Sequence, residues 1–511
     1  MDQSVEWIKR IVRLCIREFR TEEEKKECFA EMEREYLQFL DIEKKNIRRI
    51  MMTQFEINDM IYVLSMIIQY MDVKDFQEDL MENILRGDFE GYTGSVLFYH
   101  TLPYIKGEYR RKRLLYKKNM ISFGNMLDIN YPYISLEQRE KKRIVIVTGQ
   151  LLGVNHSPTE IVLNIAYVLQ KHLRWEVLLF VCPCNRKPPE DLWYDPIYEN
   201  SLKKFSDRPM KMEFKDAVFQ GYQIDMGDTS LKEYGMMLSL IHAWNPYFVL
   251  DMSTTNAVAG LIGKFTTLVS FPMSIECPIS EAEILLRIGQ MDEEMEKEYT
   301  EMMGEHQKQL ILEEEFPVIS KTSRKDYTRE ELGLPEEKFL IAIVGNRLDL
   351  DVTEEFVQIM KKILTKTSKA SFVFIGKKKG IEKHFTDEIF AGNVYYLGYC
   401  SDLMGTYKAL DLYLNPKRMG GGYSGGMALR AGVPVVTLPE CDVAYNCGEE
   451  MIVQNYEEMI DDVCFCVDDK DFYEKKRECA GKYGKKNEDE QLLQCVEEIL
   501  EGVTSVMEGK L

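Results

Sequence analysis

Five glycines within seven residues, Gly420, Gly421, Gly422, Gly425 and Gly426, separate an apolar run that ends at Asn415 from a helix-forming run, GGMALRAG. Glycine lets backbone N–H groups approach an anion closely, and the positive end of the following helix points at it. The pattern reads as a diphosphate cradle. Ser424 would add a hydroxyl at the helix start, and Lys417 and Arg418 would supply fixed positive charge. The alternative is a plain turn between strand and helix. Against it stands the loop's place after a strand, where open α/β sheets bind their ligands.

Such a loop works only if strands and helices hold it, and the chain supplies two series of them. Residues 1–140 read as an all-helical domain, with apolar residues at three-to-four spacing in VEWIKRIVRLCIREF and MIYVLSMIIQYM. From Lys141, KKRIVIVTGQ is a β-branched run followed by a loop with Gly153, Asn155 and Pro158, the helix IVLNIAYVLQKHL and the strand WEVLLFVC. YFVLDMS and TTLVSFPM repeat the alternation around NAVAGLIGKF, and a Met-rich acidic stretch at 280–315 reads as helical. After a linker, SRKDYTREELGLPEEKF, the pattern restarts with IAIVGN, VTEEFVQIMKKIL, SFVFIG, NVYYLG, DLYLNP and PVVTLP. Two doubly wound units in series are expected, at 141–325 and 326–511, with a ligand cleft between them. The last helix, DEQLLQCVEEILEGV, caps one unit or crosses to the other.

The succession DLYLNP, GGGYSGG, AGVPVVTLP and CDVAYNCGEE resembles the donor domain of bacterial GT-B glycosyltransferases related to O-GlcNAc transferase, of which the adhesin N-glycosyltransferases are one branch. The resemblance begins at Lys141 and is strongest over 340–450. It implies an α/β chain with a GT-B fold of two Rossmann-like domains, acceptor side first and donor side second, preceded by the helical domain. It also carries residues over. Asn346 and Arg347 would stand near the donor phosphates, and Tyr399 and Cys400 near the nucleobase. Lys417, Gly421, Gly422, Tyr423, Ser424, Gly425 and Gly426 would line the cradle, and Asp442 would close over it. For Arg347 the alternative is a surface arginine, and for Tyr399 it is core packing. In QLLGVNHSPTE, His156 resembles the family's histidine in the loop after the first strand, where it would accept a proton or hydrogen-bond without titrating; the alternative is a structural loop histidine. Asn256 could line the acceptor side. One position departs from the family: where an acidic residue usually meets the donor ribose, this chain has Met427, and a thioether is a poor acceptor.

The implied reaction moves a glycosyl group from a nucleotide diphosphate sugar, UDP-linked by the resemblance, to a protein or glycan. It would be inverting and independent of a metal, and it would need no cofactor. The rival is a GT-B-shaped partner or chaperone without catalysis. An epimerase would need carboxylates placed for proton abstraction, and TGQLLGVNHS lacks the dinucleotide fingerprint.

A formal charge of −20 argues against a nucleic-acid partner. No stretch is apolar enough for a signal peptide or a membrane span, and twelve scattered cysteines without an export signal suit a reducing cytoplasm. The helical domain is a candidate protein-docking element. Its basic segment YRRKRLLYKK, residues 109–118, is either a solvated helix face or a surface that could touch anionic membrane or an acidic acceptor.

Overall fold

The computed structural model describes residues 3–510 except 88, 90, 92–93, 96, 98–108, 153–155, 184–209, 225–230, 254, 274–276, 289–292, 313–324, 377–379, 401, 419 and 484–487. Gly153, Asn155, Cys184 and the start of the linker at 323–324 lie outside the described residues.

Helices Gln3–Cys15, Glu22–Gln38, Asp41–Gln54, Ile57–Tyr70, Lys74–Arg86 and Tyr109–Leu127 form the N-terminal part. The first shows why they pack: Trp7, Ile8, Ile11 and Cys15 recur at helical spacing and are buried. Their apolar cluster does not end at the helices. It continues through Tyr116 and Phe123 into Val145, Val147, Val249 and Leu268 of the first sheet, so helices and sheet share one core.

That sheet has eight strands: β1 (Glu140–Thr148), β2 (Glu176–Val181), β3 (Met210–Phe214), β4 (Ala217–Gln223), β5 (Pro246–Met252), β6 (Leu268–Ser270), β7 (Ile284–Ile288) and β8 (Lys308–Leu312). Their order is 3-4-2-1-5-6-7-8, parallel except for the β3–β4 hairpin. Every residue of β5 is buried, as expected for a strand covered on both faces. The acidic stretch expected to be helical at 280–315 instead contains β7, helix Glu293–Met302 and β8. ILLRI is a short apolar run whose pairing with β6 and β8 overrides its helical flanks.

The second sheet is parallel throughout, with β9 (Phe339–Gly345), β10 (Ala370–Gly376), β11 (Val394–Gly398), β12 (Leu412–Leu414) and β13 (Val435–Val436) in the order 11-10-9-12-13. Helix Glu354–Lys366, N-capped by Thr353, buries Phe356, Met360 and Ile363 on one face of this sheet. Helix Glu488–Met507, last in the chain, packs on the first unit: Leu492, Val496, Ile499 and Val503 belong to the core formed with Ile144, Ile146 and Leu250. Of the two expected courses for that helix, it takes the crossing one.

Part of the basic segment at 109–118 is spent inside the molecule, which leaves only some of its charges for a solvated or membrane-facing surface. Lys112 is buried, and Arg113 Nε donates to Glu281 at 2.6 Å with Lys117 at 3.4 Å from the same carboxylate. Lys118 Nζ donates to Leu85 O at 3.1 Å, near the C-terminus of helix Lys74–Arg86, where unbonded carbonyls favour a cation. Arg110 and Arg111 of the segment remain exposed. Among the described residues no helix is long and apolar enough to cross a membrane.

Candidate functional site

In the second sheet β9 leads to β10 on one side and β12 to β13 on the other, so the chain diverges between β9 and β12 and leaves a crevice at their carboxyl ends. The loops that open there are the ones carrying Asn346–Arg347 and the five glycines. Gly420 and Gly421 have φ of +101° and +92°, a backbone that only glycine adopts without strain. They turn the chain into helix Gly422–Arg430, whose first bond in the described residues runs from Gly425 N–H to Gly421 O at 2.9 Å. The amides of Gly422, Tyr423 and Ser424 precede that bond at the positive end of the helix, as an anion site requires. Gly425 is small for another reason: a Cβ there would stand 2.6 Å from Val443 Cγ1, in the turn Asp442–Asn446 that packs across the helix. Asp442 is half-buried at the head of that turn.

The charges around the loop differ from expectation. Arg418 points under it rather than toward an anion. Its Nη1 donates to Asp351 Oδ2 at 2.8 Å, Nη2 to Val344 O at 2.6 Å and Nε to Asn415 Oδ1 at 3.0 Å. Arg418 therefore ties the end of β9 to the end of β12 with its charge neutralised. Lys417 is exposed and paired with Glu440 at 2.7 Å. The Ser424 hydroxyl donates to Gly421 O at 2.9 Å and lies 3.1 Å from the Tyr413 hydroxyl, so it braces the loop instead of pointing outward. Arg347 is the cation placed over the loop: its side chain is 51% exposed, 3.8 Å from Asp351, and its Nη2 would lie 3.7 Å from a Cβ on Gly420. Asn346 beside it is exposed.

Met427 is 6% exposed and packs with Leu340, Tyr407 and Leu429. A carboxylate in that apolar setting would carry a heavy desolvation cost, which accounts for the thioether. Tyr399 is 56% exposed just beyond β11, so core packing is not its role. Cys400 Sγ sits 2.8 Å from Thr406 Oγ1 near the end of helix Leu403–Tyr407, and Tyr407 donates to Ser424 O at 2.9 Å. Through that helix the 399–407 segment reaches the glycine loop.

The first unit meets this loop directly. His156 precedes helix Ser157–Tyr167, with Nδ1 3.0 Å from Thr159 Oγ1, which also accepts Leu152 N–H at 3.0 Å. Burial pushes the His156 imidazole down to about 4, so it is neutral at ordinary pH. One residue beyond Thr159, the buried Glu160 accepts a hydrogen bond from the Tyr423 hydroxyl; burial first and Glu160 second raise the Tyr423 phenol well above its usual range. This contact across the cleft was not legible in the sequence, because it joins residues on different units. Asn256 serves its own backbone: Oδ1 accepts from Val258 N and Ala259 N, and Nδ2 donates to Cys182 O at 2.6 Å.

Two parallel, doubly wound units, a final helix that crosses back to the first and a glycine loop facing the opposite unit define a GT-B fold. One solved structure agrees. The chain is similar to a mutant O-GlcNAc transferase of Thermobaculum terrenum, at 14% identity and a TM-score of 0.52, with all of both chains covered. It is also similar to Anabaena HepE in complex with UDP and glucose (12% identity, TM-score 0.49, 71% of this chain and 100% of that one). WaaG, a glycosyltransferase of lipopolysaccharide biosynthesis, follows at 13% identity and a TM-score of 0.41, with 71% and 99% covered. At 14% identity the likeness to the O-GlcNAc transferase speaks for the fold alone. No family model and no curated protein matches the chain.

Proposed function

We propose that the chain is a glycosyltransferase that moves a sugar from a nucleotide diphosphate sugar, UDP-linked, to a protein or glycan acceptor. The observation that carries this reading is the convergence, at one crevice, of Arg347, the first-turn amides of helix Gly422–Arg430 and the His156–Glu160 turn of the opposite unit. Backbone dipoles and Arg347 would take up the negative charge that develops on the leaving diphosphate, so the reaction would need no metal. His156, neutral and tied at Nδ1, suits hydrogen bonding to donor or acceptor better than general-base work, because burial disfavours its protonated form. Transfer would invert the anomeric centre, as the sequence resemblance implies, and would take place in the cytoplasm.

A non-catalytic partner of a glycosyltransferase is the second reading, and specific observations favour it. Arg418 and Lys417 are neutralised, Ser424 faces inward, and Glu160 brings a carboxylate to the head of the helix where a phosphate would sit.

Calorimetric titration with UDP and GDP in EDTA, beside Arg347→Ala, separates the two. Micromolar UDP binding without metal, weakened about tenfold or more in Arg347→Ala as expected for loss of a charge-assisted contact, supports the transferase. Absence of binding by either nucleotide selects the partner.

A further inference from the structure

The first sheet has a crevice of its own. The connection from β1 runs along one face, where helix Ser157–Tyr167 joins the core of Ile144 and Ile146, and that from β5 along the other, where residues 257–262 join the core of Val145 and Val147. The loops after β1 and β5 therefore part, and the crevice lies between those two strands at their carboxyl ends. Asp251 of β5 stands there, in register with Val147 of β1 on one side and Ser270, the last residue of β6, on the other. Register partners on parallel strands point to the same face, so Asp251 and Ser270 lie side by side.

Both are sealed from solvent, at 1% and 0% exposure. Asp251 Oδ1 accepts Ser253 N at 3.1 Å and the Ser253 hydroxyl. Among the described residues Oδ2 has no hydrogen-bond partner, and neither has Ser270 Oγ. Two neighbouring buried polar atoms left unsatisfied mark a place where a further polar atom belongs.

The geometry points to a subsite for one hydroxyl group of the acceptor, held between Asp251 Oδ2 and Ser270 Oγ. Calling that ligand the acceptor rests on the glycosyl-transfer reading above; the hydroxyl chemistry does not. A hydroxyl donates and accepts at once and brings no charge into a buried site, whereas a phosphate or carboxylate would meet a carboxyl oxygen. Burial supports the match by pushing the Asp251 carboxyl up to about 7, which keeps it in its hydrogen-donating form over much of the acidic range.

Infrared difference spectroscopy on the full chain at about pH 6, where the raised carboxyl is mostly protonated, tests this with methyl α-glucoside as the hydroxyl probe. The expected result is a carboxylic-acid C=O band, absent in Asp251→Asn, that moves to lower frequency as the glucoside is added. Ser270→Ala keeps the carboxyl and should weaken the response about tenfold, as for one lost buried hydrogen bond; it also tests the pair if Asp251→Asn does not fold. A band that stays put throughout the titration, or moves equally in Ser270→Ala, overturns the subsite and leaves a buried water as the occupant. UDP affinity measured on the same samples separates the two proposals. A band that moves in a chain that does not bind UDP retains the subsite and removes the donor reading.

Discussion

His156 and Asp251 pull the stability of the fold in opposite directions with pH. For His156 the folded value, about 4, lies below the ordinary 6.5. As pH falls through that window the unfolded chain takes the proton first, so the folded state loses stability. For Asp251 the folded value, about 7, lies above the ordinary 3.8. As pH rises between those values the unfolded chain ionises first, so the folded state again loses stability. The two slopes oppose each other between about pH 4 and 6.5. Melting temperatures measured across this range should therefore fall more steeply with rising pH in His156→Gln than in the parent chain, and rise more steeply in Asp251→Asn. Identical slopes in all three proteins would remove both assignments. The histidine was visible in the sequence as a polar residue in a loop after a strand. Asp251, inside YFVLDMS, looked like an ordinary strand residue, and only its register beside Ser270 sets it apart.

At the scale of elements, the glycine loop is held by what lies beneath it. A Cβ on Gly421 would stand 2.7 Å from Arg418 Nη2, so the loop rests on that guanidinium, which in turn binds the ends of β9 and β12. Arg418→Met would leave Asp351 buried without its main cation, at a cost of about 3–5 kcal/mol. Denaturant unfolding should register that loss, and UDP affinity should fall with it because the cradle loses its support. Retention of full stability would mean that the loop is held by its glycines and by Ser424 alone. Elements with strong local signals were legible: β9, β10 and the helix after the glycines lie where their apolar runs place them. β7, β8 and the β3–β4 hairpin were not, since short strands within polar sequence are stabilised by their neighbours rather than by their own periodicity.

At the scale of the molecule, the C-terminal helix couples the two units. It follows the second unit in sequence and fills the core of the first with Leu492, Val496, Ile499 and Val503. Ile499→Ala should cost about 2–5 kcal/mol through lost burial and the cavity left behind. Hydrogen exchange should show the loss of protection in β8 and the 168–172 turn, which the helix covers, before any in β9 to β13. Loss confined to the second sheet would contradict the crossing. The N-terminal helices are coupled as closely, because their core continues into the sheet and helix Tyr109–Leu127 delivers its basic side chains to Glu281 and to the carbonyls at 84–85.

Sequence by itself determined the two successive α/β series, the glycine loop between a strand and a helix, and the histidine loop of the first unit. All are local patterns, set by residue types a few positions apart. Tertiary structure decided which of the marked side chains keep their chemistry. Arg418 meets Asp351 across 67 residues, Lys417 meets Glu440, Ser424 turns to Tyr413, and Tyr423 reaches Glu160 on the other unit. A charge or hydroxyl is available to a ligand only after its partners inside the fold have been counted, and those partners are chosen by how the strands and helices pack.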